Sequence, residues 1–258
     1  MASLYDRADI YDLIENESRS AMYREHWRTV LQGKEIHTLL DVSIGTGSVT
    51  VPLAELGVCV SGSDLSETML EKCRGKMEQK GLVPNLKCAD FRDLSCWGDT
   101  AFDMAAGTGN SLAYVSNEDV LRALRQMDRH VRPGGFLYID TRNWDKIIAK
   151  KDRFYLYNPF FAADSRVNLV QAWDYNADGT VTFNLLYTFE KDNKIYKKEQ
   201  FAEHYFPLPR ERILEGLKEL GYGGIQIMNF PAQFPAENVE DADWITITAR
   251  KDICADSN

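Results

Sequence analysis

The sequence lacks the features of disulfide-rich, membrane-spanning and secreted proteins. Its five cysteines, an odd number in 258 residues, form no C-x-x-C pair, which predicts reduced thiols in a cytoplasmic protein. Its apolar runs are far shorter than the roughly 20 residues that a membrane-spanning helix needs. Residues 1–10 carry Asp6, Arg7 and Asp9 and have no apolar centre, so no signal peptide is predicted. We therefore expect a cytoplasmic protein with no membrane partner.

Positive charge and metal-ligand patterns are also scarce. The net charge is -9, and Lys and Arg form no cluster, which argues against a nucleic-acid partner. The four histidines are scattered without the spacing of metal ligands, so no metal is predicted. The hydrophobic content of 44% and the charged content of 27% are ordinary for a globular chain. The length suits one large α/β domain, or a core domain with an insert.

The most informative segment is a glycine turn after the first apolar run. Residues 39–50 read LLDVSIGTGSVT, in which the apolar run ends at Asp41 and Val42 and Gly45-Thr46-Gly47 follows. This order predicts a buried strand, a tight turn and the start of a helix. Glycine lets backbone approach a ligand closely because it has no Cβ, and a helix N-terminus offers unpaired N–H groups. We therefore predict a nucleotide-type binding unit at the carboxyl end of the first strand.

An acidic residue at the end of the second strand narrows the choice of nucleotide. Asp64 ends the segment 58–64, 23 residues after Asp41, where a carboxylate can accept hydrogen bonds from both hydroxyls of a ribose. The dinucleotide fingerprint G-x-G-x-x-G would need glycine in place of Thr50, which counts against NAD and FAD. S-adenosylmethionine fits better, because it has a ribose and no pyrophosphate. The alternative interpretation is a structural turn after a parallel strand.

The third predicted strand is followed by a further pair of candidate ligand residues. Residues 86–89 are predicted to form a third short strand, and Asp90 and Phe91 come next. The carboxylate can accept a hydrogen bond from the exocyclic amine of adenine, and the ring can pack on the base. The alternative is a loop aspartate beside a core phenylalanine.

Strands alternate with helices through the first 150 or so residues. The pattern predicts strands at 37–43, 58–64, 86–89, 102–106 and 136–141, helices at 6–32, 47–56, 66–80 and 117–131, and a helix stop and turn at Arg132-Pro133-Gly134-Gly135. Such alternation implies βαβ units and a parallel sheet, so that the loops after the strands meet at one rim. A helix at 210–220 and an antiparallel edge made of 225–230 and 244–250 are predicted to end the fold.

Residues 154–208 have a different texture. Aromatic residues crowd into 154–161, and alternating strands follow at 167–175, 181–190 and 195–206. We interpret 154–208 as an antiparallel insert on the substrate side. The cofactor-binding core would then consist of 1–153 and 209–258.

Three segments carry a resemblance to a known family: Gly109–Ala113, Val131–Trp144 and His204–Pro207. They resemble class I S-adenosylmethionine-dependent methyltransferases and, more closely, the glycine N-methyltransferase branch with its glycine/sarcosine and dimethylglycine enzymes. The Arg-Pro-Gly-Gly turn is common to many methyltransferases, whereas Asp-x-Arg-Asn-aromatic-Asp at 140–145 is much narrower. The resemblance spans almost the whole chain.

The resemblance implies a fold and a reaction. The fold would be α/β, with a Rossmann-like, mostly parallel seven-stranded methyltransferase sheet, helices on both faces and an antiparallel β insert. The reaction would move a methyl group from S-adenosylmethionine to the amine of glycine, sarcosine or a similar small amino acid and leave S-adenosylhomocysteine. A homo-oligomer is compatible with the family, although the arm before Tyr5 is short.

The resemblance also assigns roles to residues. Asp64 would hold the ribose, and Arg19 would bind the methionine carboxylate of the cofactor. The cofactor-binding set that it implies is Tyr5, Arg19, Tyr23, Asp41, Ser43, Gly45, Asp64, Leu65, Met69, Asp90, Phe91 and Thr108. On the acceptor side, Arg142 would bind the amino-acid carboxylate, with Asn110 and Tyr205 orienting its polar groups. Two positions, Ile44 and Asp90, depart from the residues common in the vertebrate enzymes.

Arg142 also has support that does not depend on the resemblance. It is the one cation at the end of a predicted core strand that faces the rim, and a planar guanidinium can bind a carboxylate through two hydrogen bonds. The alternative is an ordinary ion pair with Asp140 or Asp145. The expected mechanism is in-line transfer to a neutral amine, in which alignment does most of the work and no dedicated general base is singled out.

Other functions remain open at this point. The acceptor could be another small amine or an oxygen nucleophile, since the core motifs would be identical. A non-catalytic protein that binds the cofactor as a sensor would also carry these motifs. An NAD-dependent oxidoreductase is disfavoured by Thr50, and a structural module needs neither the glycine turn nor polar residues at the strand ends.

Overall fold

The alternation of strands and helices is present in the computed structural model, which describes residues 3–232 and 238–253. The helices are α1 (Ala8–Tyr11), α2 (Glu17–Leu31), α3 (Val51–Ala54), α4 (Glu67–Gln79), α5 (Asn117–Arg129), α6 (Trp144–Lys150) and α7 (Arg210–Glu219). The strands are β1 (Thr38–Asp41), β2 (Cys59–Asp64), β3 (Asn85–Cys88), β4 (Phe102–Gly107), β5 (Val131–Arg142), β6 (Phe154–Leu156), β7 (Phe160–Ala162), β8 (Ser165–Tyr175), β9 (Val181–Lys191), β10 (Lys194–Tyr205), β11 (Tyr222–Asn229) and β12 (Trp244–Lys251).

The larger sheet has seven strands in the order β3-β2-β1-β4-β5-β12-β11. Strands β1 to β5 pair in parallel, and β12 runs antiparallel to both β5 and β11. Because parallel strands end at the same edge, the sheet brings the residues after β1, β2, β3, β4 and β5 to one rim. The predicted Rossmann-like, mostly parallel seven-stranded sheet is confirmed.

Both faces of this sheet are covered by helices. Neighbouring residues of a strand alternate between the two sides, as Leu39 and Leu40 show: Leu39 packs with α2, α3 and α4, and Leu40 with α5 and α7. The first side is closely packed, since a Cβ added to Gly62 would lie 2.4 Å from the Ile44 side chain. Strands buried on both faces explain why β4 is buried along its whole length.

A second sheet of five strands covers the rim. Its order is β10-β9-β8-β6, with β7 also paired to β8, and all of these pairs are antiparallel. One face of the sheet packs toward the core, where the rings of Phe183 and Tyr205 lie 5.8 and 5.6 Å from the Trp144 ring. The predicted antiparallel β insert is confirmed as a part of the fold, while the domain boundaries at 153/154 and 208/209 stay a prediction.

Two of the predicted helices are wrong in extent. Residues 6–32 do not form one helix, because Asn16 is extended and its side chain accepts from the Arg19 N–H, which starts α2 as a separate helix. The helix predicted at 47–56 shrinks to Val51–Ala54. Gly47 has a φ of +77°, outside the helical region, and Pro52 lacks an N–H, so regular helix begins late and stays short.

The Arg132–Gly135 segment is also different from its prediction. It is not a turn before β5 but part of β5 itself. The pairing with β4 shifts register between Phe102 and Met104, so the extra residues are accommodated as an irregularity of the strand. Gly135 is needed there, because an added Cβ would lie 2.8 Å from the Asp103 carbonyl oxygen.

Four of the five cysteines lie in the described part of the chain. Cys59, Cys73, Cys88 and Cys96 are free thiols, and Cys254 lies outside the described residues. Among the described helices, none combines the length and apolar character needed to cross a membrane. Within the same ranges, no group of three or more His, Cys, Asp or Glu side chains is arranged to hold a metal ion.

Candidate active site

Two cavities meet at the rim. The smaller has a volume of about 280 Å³ and lies at the ends of β1, β2 and β3. The larger, of about 370 Å³, lies between α2, the ends of β4 and β5, and the inner face of the second sheet. Tyr5, Tyr114 and Glu203 line both, so the two cavities adjoin at these three side chains.

The smaller cavity has the polar and apolar groups that a nucleoside requires. Asp64 Oδ2 accepts a hydrogen bond from the Gly45 N–H at 2.9 Å, and Asp64 Oδ1 accepts one from the Ser66 N–H at 2.9 Å. These bonds hold the carboxylate in place, and each oxygen keeps a second lone pair for a ribose hydroxyl. Leu65 and Phe91 line the same cavity and offer apolar surface to a base. The site therefore fits the adenosine part of S-adenosylmethionine.

The glycine turn leaves its backbone open to a ligand. Gly45 has a φ of +54°, and an added Cβ would meet no atom within 4 Å, so the turn faces free space. Ser43 lies just before it, lines the smaller cavity and exchanges hydrogen bonds with Thr108: its Oγ accepts from the Thr108 N–H at 3.0 Å. Ser43 thus lines the smaller cavity and Gly45 lines neither cavity, and the cofactor-binding role of both stays a prediction.

Asp41 lies beneath the glycine turn and lines neither cavity. It is fully buried and accepts hydrogen bonds from the Ser43 N–H at 3.0 Å, the Thr108 hydroxyl at 2.8 Å and the Thr50 hydroxyl. Burial raises the pKa of Asp41 to about 6, although these three donors oppose the rise. Asp41 and Thr108 therefore support the glycine turn. The hydrogen bond from Thr50 to Asp41 gives Thr50 a structural role in the same support. Met69 is also fully buried and lines neither cavity.

Asp90 already has a partner in this structure. Its Oδ2 accepts from the Arg92 guanidinium at 2.6 Å, and that guanidinium also donates to Asp119 at 3.1 Å. The bond from Arg92 lowers the pKa of Asp90. Asp90 lines an adjoining cavity that shares Leu65 and Phe91 with the adenosine cavity. Its adenine role stays a prediction, and any base would share the carboxylate with Arg92.

Glu203 closes the smaller cavity and was missed by the sequence analysis. Its Oε1 accepts from the Leu4 N–H at 2.7 Å and from the Ser3 hydroxyl at 3.0 Å, which fastens the N-terminal segment to β10. Its Oε2 accepts from the Tyr114 hydroxyl at 3.3 Å, and the Tyr5 ring packs edge-on against Tyr114 at 5.4 Å. The signal was its inward place in the alternation of β10, where positions 201, 203 and 205 are buried.

Helix α2 presents Arg19 and Tyr23 to the larger cavity. The Arg19 guanidinium donates to the Tyr23 hydroxyl at 2.6 Å, as expected for residues four apart on one helix face. It also donates to Glu15 at 3.3 Å. A methionine carboxylate bound to Arg19 would therefore compete with Glu15, and the role of Arg19 stays a prediction.

Arg142 ends β5 with its guanidinium enclosed by aromatic rings. The side chain is only 6% exposed and lines the larger cavity. Its Cζ lies 4.9 Å from the ring centroid of Trp244, 5.1 Å from Phe183, 5.6 Å from Trp173 and 5.9 Å from Tyr155.

Arg142 has no acidic partner among the residues that the structure describes. Asp145, one of the two partners in the alternative interpretation, accepts instead from the Arg210 N–H at 3.2 Å. Asp243 lies in a cavity beside Arg142 but pairs with Lys146 at 2.6 Å. Burying a cation is costly unless an anion compensates it. The environment of Arg142 therefore suits a ligand that brings its own carboxylate.

Asn110, whose side chain lies beside the backbone of Arg142, is fixed by several hydrogen bonds. It has a φ of +64°, a conformation that Asn tolerates better than most residues, and it is 2% exposed. Its Oδ1 accepts from the Thr141 hydroxyl at 2.8 Å, the Trp144 indole at 2.9 Å and the Arg142 N–H at 3.1 Å. The side-chain Nδ2 is buried without a partner, and the residue lines the larger cavity. A hydrogen-bond donor is thus available for an acceptor substrate.

Tyr205 completes the predicted acceptor group. Its hydroxyl lies 2.6 Å from the Tyr114 hydroxyl, and its ring packs on Phe183 at 4.7 Å. Burial raises the pKa of Tyr205, which keeps the phenol neutral and able to donate or accept a hydrogen bond. Asn110, Arg142 and Tyr205, which are far apart in the sequence, line one cavity.

Asp140 is a second residue that the sequence analysis did not assign to the site. It is 1% exposed and lines the larger cavity. Its Oδ1 accepts from the Gly109 N–H at 2.8 Å, and its Oδ2 accepts from the Tyr138 hydroxyl at 3.1 Å. Burial raises its pKa to about 7. Its place two residues before Arg142 in a strand was the available signal, because such residues share a face.

Comparisons with known proteins find methyltransferases among the relatives of this chain. The family model described as "Methyltransferase domain" matches residues 39–135. A glycine/sarcosine N-methyltransferase from Aphanothece halophytica is 26% identical over 243 residues, which are 93% of this chain and 86% of that protein. The glycine N-methyltransferase of Mus musculus is 31% identical over 147 residues, 52% of this chain and 50% of that protein.

A solved structure shows the same fold. CalS10, an amino pentose methyltransferase from Micromonospora echinaspora solved with S-adenosylmethionine bound, has a TM-score of 0.69 and 15% identity, with coverage of 97% of this chain and 98% of that one. The family match and the relatives are consistent with the seven-stranded sheet, the glycine turn and the cavity at the ends of β1, β2 and β3. The chain contains a methyltransferase domain at residues 39–135, and it resembles the class I S-adenosylmethionine-dependent methyltransferases and, among them, the glycine N-methyltransferases.

Proposed function

We propose that the protein methylates the amino nitrogen of a small amino acid such as glycine or sarcosine. The observation that carries this proposal is Arg142, a buried guanidinium at the end of β5 that has aromatic neighbours and no carboxylate partner in the described ranges. A guanidinium can bind an amino-acid carboxylate through two hydrogen bonds. The glycine/sarcosine and glycine enzymes among the relatives support the same acceptor class.

The chain's own residues have distinct tasks in this proposal. Asp64 and Phe91, which line the smaller cavity, would hold the nucleoside beside the glycine turn. Arg19 and Tyr23, which line the larger cavity, would hold the amino-acid part of the cofactor. Arg142 would bind the acceptor carboxylate, while Asn110 and Tyr205 orient its remaining polar groups. When bound, S-adenosylmethionine supplies an activated methyl group on a sulfonium. Holding the acceptor nitrogen in line with that methyl can contribute roughly 7–11 kcal/mol to the lowering of the barrier.

The second sheet has a task as well. We infer that residues 154–208 act as the substrate-side insert on the core of 1–153 and 209–258, because their inner face supplies Trp173, Phe183 and Tyr205 around the acceptor. The free thiols fit a cytoplasmic location. A homo-oligomer stays part of the proposal on the grounds of the family resemblance alone.

A different small amine is the second candidate. An amino sugar would fit the likeness in fold to CalS10, but it would leave Arg142 without an anion. The two candidates therefore differ in whether the acceptor must carry a carboxylate.

The deciding experiment measures methyl transfer from labelled S-adenosylmethionine to glycine, sarcosine and dimethylglycine, side by side with an amino sugar and a no-acceptor control. Glycinamide, which lacks the carboxylate, is assayed as well. Turnover on one or more of the amino acids, with glycinamide inactive, is the expected result. Turnover on the amino sugar alone would show that the acceptor is an amino sugar and not an amino acid. If calorimetry detects cofactor binding but no acceptor is methylated, the result would favour a non-catalytic protein that binds the cofactor as a sensor.

A further inference from the structure

Two groups of opposite charge lie close together in the larger cavity. Asp140 and Arg142 are two residues apart on β5, so their side chains leave the same face of the strand. Both line the cavity, yet they form no ion pair with each other. An α-amino acid carries a carboxylate and an ammonium group one carbon apart. Its two charges match this cation and this carboxylate.

A chain of hydrogen bonds ends at Asp140, and each of the two Asp140 oxygens accepts one hydrogen bond. The Ala232 N–H donates to His26 Nδ1 at 2.9 Å, so His26 carries its proton on Nε2 and donates it to the Tyr138 oxygen at 2.8 Å. The Tyr138 hydroxyl then donates to Asp140 Oδ2. Gly109 N–H occupies one lone pair of Oδ1. Each donor in this series of hydrogen bonds already has an acceptor, and each Asp140 oxygen keeps a further lone pair that can take a proton.

From this arrangement we infer that Asp140 is the general base of the reaction and accepts a proton from the ammonium group of the bound amino acid. The inference rests on the proposed function and deepens it. The N–H bond breaks with its electron pair left on nitrogen, and the proton goes to the Asp140 carboxylate. The nitrogen lone pair then bonds to the methyl carbon, as the carbon–sulfur bond of the donor breaks and its pair passes to sulfur. The product leaves as a methylated ammonium ion, and Asp140 returns its proton to water.

The electrostatic surroundings of Asp140 support this role. The titratable and charged groups that face it are His26 and Tyr23 on α2, Asp41 on β1, and Tyr138 and Arg142 on β5. His26 stays neutral, because burial lowers its pKa to about 3. Burial, aided by the nearby charge of Asp41, raises the pKa of Asp140 to about 7, which is near the working range of a general base. Below that pH the carboxyl is protonated and cannot accept.

The test measures kcat/KM against pH from 5.5 to 9 with an amino acid that the wild type methylates. We expect the wild type to lose activity toward low pH with an apparent pKa near 7. Asp140→Asn should lower kcat/KM by about 10²–10⁴-fold, abolish this low-pH limb and leave the S-adenosylmethionine Kd within about threefold. Tyr138→Phe keeps the base but removes a donor to its carboxylate, so the limb should move to higher pH.

The chain offers matched controls for both variants. Tyr222 donates to Asp128 at 3.0 Å in the same way that Tyr138 donates to Asp140, but this pair lines neither cavity. Asp128→Asn and Tyr222→Phe should therefore leave the pH profile in place. A positioning role alone would lower the rate of Asp140→Asn without removing the low-pH limb.

A second measurement does not depend on turnover. Carboxyl ¹³C NMR of aspartate-labelled, cofactor-free protein should contain a signal that titrates near pH 7 and is missing from Asp140→Asn. Titration of that signal below pH 5, or an Asp140→Asn enzyme with an unchanged rate and limb, would overturn the inference alone. A wild type that methylates no amino acid would overturn the proposed function and, with it, this role.

Discussion

Asn110 Oδ1 accepts a hydrogen bond from the Trp144 indole at 2.9 Å, and this bond fastens the loop after β4 to the first residue of α6. An indole and a backbone N–H can only donate, so the orientation of the amide is set by its partners Trp144 and Arg142. The remaining Nδ2 must then be the group without a partner. The hydrogen bonds around Asn110 therefore orient its Nδ2 donor in the cavity proposed to bind the substrate that accepts the methyl group.

Asn110→Asp should distinguish two roles of Asn110: the donation of a hydrogen bond by Nδ2 to the acceptor substrate, and the support that Oδ1 gives to the loop after β4. The variant keeps the side-chain oxygen that accepts three hydrogen bonds and a residue type that tolerates positive φ, but it turns the free donor into a charged acceptor. We expect the amino-acid KM to rise at least tenfold, while the melting temperature falls less than it does in Asn110→Ala. Asn110→Ala is the contrast, because it leaves three buried donors unpaired and should cost about 1–3 kcal/mol of stability for each. An unchanged KM in Asn110→Asp would remove the acceptor role of Nδ2.

Arg142→Lys tests the carboxylate-binding role of Arg142. Lysine keeps the charge but loses the planar pair of donors, so we expect the amino-acid KM to rise by at least tenfold with nearly unchanged cofactor affinity. Arg142→Met should abolish acceptor binding without lowering the free energy of unfolding, since an unpaired buried cation is itself destabilising. Arg153→Met is a control, because Arg153 packs on Phe154 and pairs with the exposed Asp174 outside the larger cavity. A loss of several kcal/mol in Arg142→Met would instead mark Arg142 as structural.

Asp64→Asn tests the ribose site. Both oxygens of Asp64 accept backbone N–H groups, so an amide in its place would set an NH₂ against one of these donors and would lose an acceptor for ribose. We expect the Kd for S-adenosylmethionine, measured by calorimetry, to rise by about 10–100-fold, in line with one or two lost charged hydrogen bonds. Asp119→Asn is the matched control, since Asp119 bonds to Arg92 outside the adenosine cavity. Equal Kd values for the two variants would contradict the assignment.

The sequence predicts the sheet well because the rules that it uses are local. The apolar run of β1, the glycine turn and the acidic residue at the end of β2 each indicate their structure within a few positions of the sequence. The same approach fails at 47–56 and at Arg132–Gly135, where a proline inside the segment and a register shift against β4 decide the outcome. Such effects depend on a partner strand or on one residue's geometry, not on periodicity.

The site was predictable to a smaller degree for a related reason. Asn110, Arg142 and Tyr205 carry motif signals. Asp140 also belongs to a motif, but its role and that of Glu203 depend on contacts across the fold. Glu203 matters because residues 3 and 4 return to it from the start of the chain. Asp41, in turn, looks like a ligand residue in the sequence, whereas its three donors reveal a support for the glycine turn.

The stability of the protein should depend on pH through Asp140. Its pKa is about 7 in the folded chain, well above the value of about 3.9 for an unfolded aspartate. Between these two pH values, Asp140 is protonated in the folded state and ionised in the unfolded state. The contribution of this proton to the free energy of unfolding is complete below about pH 4 and is lost as the pH rises through 7. Asp140→Asn has no such proton, so its stability relative to the wild type should increase with pH.

Urea unfolding at pH 5 and pH 8 measures this effect directly. The difference in unfolding free energy between Asp140→Asn and the wild type should grow by a few kcal/mol between the two pH values, because about two pH units below the folded pKa contribute roughly 1.4 kcal/mol each. Asp41 has the same sign of pKa shift and is present in both proteins, so the effect of its own burial cancels and only its coupling to Asp140 enters the comparison. Parallel stability curves would show that Asp140 ionises normally in the folded protein. The enzyme would then need another proton acceptor for the ammonium of its substrate.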